Sequence, residues 1–586
     1  MASEDILYKQ VCLHYLDIQM PRVVLLFNQS NTFGLSQDAA LIEHALSVVQ
    51  KGSKDPYEFV RADPLQPPSN ADIVIHLEIP HPVWFPWAPV QIWMVNPEWC
   101  SPNWLPYKEQ FTQIWVKEQS RVAEFGSKAV HVPWAVRGPL KPVKQEALGL
   151  RQALWVLGAS QNKHIAARAL LPIWPSDFPL TVTTTLEPCD LSGSDLFPAS
   201  VTVKRGFLEA AELEELNLNS ATHVAISAAE GFGFTAAQAE ARSAAMILNT
   251  LPVYEEYYGG RPYAAFVITP PKQSDVNHCG YVADFSGVTT SDIKTALQAI
   301  PSGEAQVAVS EERLKVFVET VGHHVKKALK KAKNHSIPKM PPVLSREDCP
   351  SISVLTLTYN RRNFIDLAFV NMLTTDYPLA KIQWVIVEDS DDTMMSASDK
   401  IKKFEERAPG CEVTYVPMSK KRSIGYKRNR AVKAAKYDIC VNMDDDDVYP
   451  ASSFRRRVAW LQATKASVVG CTMIAMYDLQ HGISAVNTPP WALTQAQRVS
   501  EASFCFKTAY ALEHPFLDVQ QSEGEGFVSK DFMEIPPQQI LVALNHGTNT
   551  SGRVIAGRAQ TGCFWGWDQK FITWLHGLVG VQVEAV

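Results

Sequence analysis

The stretch YDICVNMDDDDVYP, residues 437–450, decides the reading of the C-terminal half. Tyr437 to Met443 is a short β-branched and apolar run, the pattern of a buried strand. It delivers Asp444, Asp445, Asp446 and Asp447 into one loop. Adjacent carboxylates repel one another unless a cation offsets their charge. Oxygen ligands of this kind suit Mg²⁺ or Mn²⁺, which bind through one or two carboxylates together with substrate phosphates.

Upstream lie three segments that belong with this loop. SISVLTLTYNRR (351–362) is a strand ending in Thr358, Tyr359 and Asn360, and KIQWVIVEDSDD (381–392) is a strand ending in Glu388 and Asp389. SIGYKRNRAVKAAKYD (423–438) opens a helix that carries Lys427, Arg428 and Asn429. In an open α/β sheet, ligands bind outside the carboxyl ends of the strands. The polar tips are therefore expected to face one crevice, with Asp389 near a base or ribose and Lys427 and Arg428 near phosphate.

Together these segments resemble family 2 glycosyltransferases of the GT-A fold. The likeness runs over roughly 350–553 and rests on T-Y-N, the Glu388–Asp389 pair, the Gly425 helix start with Arg428-Asn429, and the acidic loop. It implies a nucleotide-sugar donor, with UDP the first choice, and a glycan or glycoconjugate acceptor. It implies that Asp389 contacts the base, that Asp444 and Asp446 hold the metal and diphosphate, and that transfer inverts the anomeric centre. The family places a catalytic acid after the acidic loop and before a helix, and DVQQSEGEGFVSKDF (518–532) offers Glu525, the first choice, and Glu523. In LVALNHGTNTSGR (541–553), His546 is a candidate metal ligand and Arg553 a candidate diphosphate contact. A nucleotidyltransferase would carry a Gly-rich loop after the 351–358 strand, and none is there.

Further towards the N-terminus, apolar runs at 21–28, 71–78, 91–96, 180–185 and 223–227 alternate with helical patterns at 36–50 and 235–247. This alternation predicts parallel α/β sheets. LWVLGASQNKHIAARALLPIW (154–174) places Lys163 after a small-residue loop, and HVAISAAEGFGF (223–234) places Glu230, Gly231, Phe232 and Gly233 at a helix start. This half is similar to the C-terminal Rossmann domain of family 4 GT-B glycosyltransferases, over about 20–320. The likeness implies donor contacts at Lys163, Glu230, Gly231, Phe232, Gly233 and Gln238. Gln238 stands where the family has a second glutamate, which leaves two readings open: a second transferase, or a degenerate module that binds without transfer.

The expected architecture is thus α/β: a GT-B-like pair of Rossmann-type domains followed by a GT-A domain. The expected segments are an extension (1–20), two Rossmann domains (21–145 and 146–309), a basic helix with a Pro-rich linker (310–349), the GT-A domain (350–555) and a tail (556–586). Composition agrees with a folded enzyme: 586 residues, 46% hydrophobic, 20% charged. A formal net charge of -6 argues against nucleic acid as a partner. The ten cysteines form no CxxC pair, and no apolar run is long enough to span a bilayer, so free thiols and a cytoplasmic location are expected. The dense tryptophans Trp84, Trp87, Trp93, Trp99 and Trp104 read first as packing residues. The alternative to an enzyme is a carbohydrate- or nucleotide-binding scaffold built from degenerate transferase domains.

Overall fold

The computed structural model describes residues 20–31, 34–51, 56–148, 150–185, 191, 197–274, 280–299, 307–333, 344–407, 410–547, 549 and 559–581. The chain divides into two compact units, which meet in sequence at Ile337 and Pro338; residues 67–69 and 82–87 count with the second.

The first unit contains two all-parallel sheets. One is β1 (Arg22–Leu26), β2 (Glu58–Ala62), β3 (Ile73–Leu77), β4 (Val90–Val95), β5 (Gln113–Val116) and β6 (Ala129–His131), in the order β2-β1-β3-β4-β5-β6. The other is β7 (Ala153–Gly158), β8 (Leu180–Thr184), β9 (Val201–Arg205), β10 (Thr222–Val224), β11 (Ala245–Asn249) and β12 (Ala264–Val267), in the order β12-β11-β10-β7-β8-β9. Such strands are covered on both faces, which is why they read as unbroken apolar runs. In the second sheet the strand order reverses between β7 and β10, leaving a crevice at their carboxyl ends. A small hairpin, β13 (Pro271–Gln273) and β14 (Tyr281–Ala283), follows.

Two details differ from the sequence reading. The helix expected over 235–247 stops at Ala241. Ser243 then takes φ +56°, and the apolar run Ala245–Asn249 pairs as β11 between β10 and β12. Sheet pairing here overrides the helix propensity of the alanines. The basic helix runs Val307–Ala332 and buries Phe317, Val321 and Val325 in the core of the first unit.

The second unit is built on a mixed sheet of β15 (Ile352–Thr358), β16 (Ile382–Glu388), β17 (Glu412–Pro417), β18 (Ile439–Asn442), β20 (Val468–Cys471), β23 (Ser500–Lys507) and β24 (Phe532–Glu534). Their order is β17-β16-β15-β18-β23-β20-β24. β15 to β18 are parallel, and β23 runs antiparallel to β18. A smaller sheet combines β19 (Asp447–Val448), β21 (Ile474–Asp478), β22 (Ile483–Asn487), β25 (Val542–Asn545) and β26 (Gln560–Thr561). The helix Gln569–Leu578 packs on it through the buried Leu575. Of the five clustered tryptophans, only Trp99 is exposed, at 45%. The cysteines among the described residues are free, and no described helix is long and apolar enough to cross a membrane.

A buried ion pair ties the basic helix into the first unit. Arg313 reaches the Glu240 carboxylate at 2.5 Å, and Tyr263 donates to it at 2.7 Å. Glu240 is fully enclosed. Arg313→Ala leaves that carboxylate without its cation and is expected to cost about 3–5 kcal/mol. Urea unfolding of the first-unit transition measures it; a midpoint unchanged from wild type would show that the pair does not hold this helix in place.

Candidate active site

The carboxyl ends of β15 and β18 open on one cleft of about 170 Å³, while the end of β16 does not line it and reaches it through the bond of Asp389 to Lys427. Each strand delivers polar residues because its apolar run stops at the sheet edge. Beyond β15, Thr358 and Tyr359 line the cleft, while Asn360 takes φ +51° and bonds Asp391 at 2.7 Å. Beyond β16, Glu388 and Asp389 are buried. Glu388 accepts from Tyr415 and Ser390, each at 2.7 Å, and from the Ala397 N–H at 2.8 Å, which anchors the following loop. Asp389 accepts from Lys427 Nζ at 2.8 Å and from the Arg422 N–H at 2.7 Å.

The helix Ile424–Ala434 begins at this edge, capped by Ser423, which accepts from the Tyr426 N–H at 3.0 Å. Its first turns present Lys427 and Arg428 to the cleft. Asn429 faces away and clasps Phe516 through two hydrogen bonds, of 2.8 and 2.9 Å. Lys421 lies 4.1 Å from the centroid of the Tyr359 ring, so this side of the cleft is cationic and aromatic.

The acidic loop itself is divided by function. Asp447 is turned into the fold, where it accepts from the Leu544 N–H at 3.1 Å. Asp445 is buried and meets Arg361 Nη1 at 3.2 Å. Burial, against the pull of Arg361, raises its carboxyl to about 6. Asp446 meets Arg361 Nη1 at 2.5 Å and His546 Nε2 at 3.0 Å. Asp444 accepts from both terminal nitrogens of Arg428, at 3.2 and 3.3 Å. Arg428 Nε turns to Glu523 at 2.8 Å. The surrounding carboxylates hold both guanidinium groups above their ordinary pKa.

Glu523 therefore lies in the cleft, and Glu525 is exposed outside it. The turns over 518–531 lead into β24, and no helix follows the acid as the resemblance implied. Arg553 lies outside the described residues. Several lining residues, among them Arg361, Lys421 and Glu501, were not singled out from sequence. Arg361 directly follows T-Y-N, so its signal stood in the motif. Glu501 opens β23 and reaches the cleft because that strand runs antiparallel beside β18.

Asp444, Asp446 and His546 supply the oxygen and imidazole donors that Mn²⁺ accepts. Among the described residues, no three His, Cys, Asp or Glu side chains converge to hold an ion by themselves.

In the first unit, Lys163 follows β7 and donates to Thr235 Oγ1 at 2.6 Å. Glu230 precedes the helix Phe234–Ala241, and its carboxyl is raised by burial against the pull of Lys163. The Glu98 carboxylate lies over Gly231, where a Cβ would come within 2.4 Å of it. Phe232 is buried, and Gly233 takes φ +79° under the Tyr254 ring. Gln238 bonds Gln37 at 3.2 Å.

Residues 353–509 match the family described as Glycosyl transferase family 2. No curated protein matches the chain. Among solved structures, the chain is similar to the mannosyltransferase PcManGT from Pyrobaculum calidifontis in complex with GDP-Man and Mn²⁺. The identity is 18%, over 35% of this chain and 60% of that one, with a TM-score of 0.27. It is also similar to S. aureus TarS 1-349 in complex with UDP-GlcNAc, at 15% identity over 35% of this chain and 62% of that one, with a TM-score of 0.28. The chain thus spans less than two thirds of the length of each.

Gly425 holds the cleft wall together. A Cβ there would lie 1.6 Å from the Leu517 carbonyl oxygen. Gly425→Ala must displace the 517–523 turn, at an expected cost of about 1–3 kcal/mol. Thermal unfolding of the second unit measures it; a melting temperature equal to wild type would show that this turn yields freely.

Proposed function

We propose that the second unit is a metal-dependent, inverting glycosyltransferase that moves a sugar from a nucleotide-sugar donor to a carbohydrate hydroxyl. The main support is the convergence of Arg428, Asp444 and Asp446, from the stretch that matches the family 2 model, with Glu523 on one cleft, and the contact of His546 with Asp446 beside it. A uridine diphosphate leaving group is the first choice.

Asp444, Asp446 and His546 would hold Mn²⁺ or Mg²⁺, which when bound offsets the negative charge of the departing diphosphate. Lys421, Lys427 and Arg428 supply fixed positive charge for the same phosphates. Asp389 is fully buried with both oxygens engaged, so it serves the donor by fixing Lys427. The Tyr359 ring offers a face to the nucleoside. The acceptor's proton goes to a carboxylate on the Glu523 side of the cleft.

For the first unit, we read a GT-B-like pair of Rossmann-type domains that binds rather than transfers. Glu98 covers Gly231, Gln238 is tied to Gln37, and Glu240 is committed to Arg313. Those contacts occupy the groups that a donor would need, which favours the binding reading over a second transferase.

Hydrolysis of a panel of nucleotide sugars by the full chain with Mn²⁺ tests both statements. Turnover is expected to fall at least about 100-fold in Asp446→Ala and to survive Glu230→Ala. Turnover lost only in Glu230→Ala would move the chemistry to the first unit.

A further inference from the structure

β23 brings a second carboxylate to the reaction cleft. Because this strand is antiparallel to β18, its first residues lie beside the acidic loop. Asn442 Nδ2 donates to the Glu501 backbone carbonyl at 2.8 Å, which fixes where the side chain emerges. Glu501 then lines the cleft with Glu523, Arg428 and Asp444. The Gly524 N–H donates to Glu501 Oε1 at 3.2 Å, and a Cβ on Gly524 would lie 2.8 Å from Glu501 Cγ. The turn is thus moulded on Glu501.

The two carboxylates have unequal surroundings. Glu523 is bound by the Arg428 guanidinium at 2.8 Å and is 4% exposed. Its Oε1 is taken up by the Arg428 Nε–H, and Arg428 in turn holds Asp444, so the side chain is committed to positioning that guanidinium. Glu501 accepts a backbone N–H from the same turn and keeps a face towards the cleft.

We infer that Glu501 is the carboxylate that takes the acceptor's proton, and that Glu523 is a positioning residue that holds Arg428 on the acidic loop. This rests on the transferase reading above. In the step, the acceptor O–H bond breaks and its proton moves to a Glu501 oxygen. The acceptor oxygen forms a bond to the anomeric carbon. The bond from that carbon to the diphosphate oxygen breaks, and its electron pair leaves with the nucleoside diphosphate.

The electrostatics around Glu501 agree with this. Burial first, then the charge of Glu523, push its carboxyl up to about 7 against the pull of Arg428. The other charged groups on the packed elements are Asp444, on the same guanidinium, and Arg457, which donates to the Ala502 and Phe504 carbonyls behind β23. A base of this kind works in its deprotonated form, so the rate rises with pH through about 7 and levels above it. Glu523→Gln removes a charge that raises the Glu501 carboxyl, so the ascending limb moves to lower pH.

The test is hydrolysis of GDP-mannose, UDP-glucose and UDP-N-acetylglucosamine by the full chain with Mn²⁺, across pH, for wild type, Glu501→Gln and Glu523→Gln. Infrared titration of the carboxyl groups of the same three proteins accompanies it. Glu501→Gln is expected to lower kcat by about 100- to 10,000-fold, to flatten the ascending limb, to change KM little, and to remove one carboxyl, the one near 7, from those such as Asp445 that titrate above the ordinary range. Glu523→Gln is expected to keep an ascending limb, displaced towards acid. An intact limb in Glu501→Gln with turnover abolished in Glu523→Gln would overturn the assignment. So would a Glu501 carboxyl that titrates in the ordinary range. Wild-type protein that hydrolyses none of the three, while its carboxyl still titrates near neutrality, would fail the transferase reading itself and remove the reaction this base serves.

Discussion

Four consecutive carboxylates at a strand end cannot stand together without positive charge, and the second unit is arranged around supplying it. Arg361 from the loop after β15 meets Asp445 and Asp446, and Arg428 from the helix after Ser423 meets Asp444. Each arginine also fixes its own element against the loop. The shape of the cleft is therefore fixed by its own ion pairs, which is the condition for electrostatic preorganisation. Asp447 does the opposite work: it faces inward and pins β25, and β25 in turn carries His546 to Asp446.

Strand direction completes the site. The parallel strands β15 and β18 bring Thr358, Tyr359 and the acidic loop to one edge, as any open α/β sheet does. The antiparallel β23 brings Glu501 to the same edge from the other side of β18. The Glu523 turn closes the wall through Arg428 and through the tight approach of Leu517 to Gly425. The two walls of the cleft thus come from parallel and antiparallel parts of one sheet.

Much of this was legible in the sequence, for definite reasons. Strands buried on both faces read as apolar runs, so β15, β16 and β18 and the residues at their tips could be placed from pattern alone. Residues that depend on pairing could not. Glu501 has no local motif, and only the antiparallel neighbour of β18 gives it a place in the cleft. Glu523 and Glu525 are alike in sequence, and only the Arg428 contact separates the buried one from the exposed one. The Ala-rich stretch after Gly233 reads as one long helix, yet its apolar end is claimed by the sheet as β11. In the first unit the glycines were visible, but the Glu98 side chain that covers Gly231 comes from a distant strand end.

The account turns on whether a metal–diphosphate can take the place that Arg361 holds on Asp446. Mn²⁺ uptake by the full chain, followed by loss of the free-ion paramagnetic signal with and without UDP or GDP, measures this directly. Wild type is expected to bind the ion far more tightly with a nucleoside diphosphate than alone. Arg361→Ala, which frees Asp446 from its guanidinium, is expected to bind Mn²⁺ alone about tenfold more tightly than wild type, a difference of about 1.4 kcal/mol. Identical uptake by the two proteins, or none by either in the presence of both nucleotides, would contradict it.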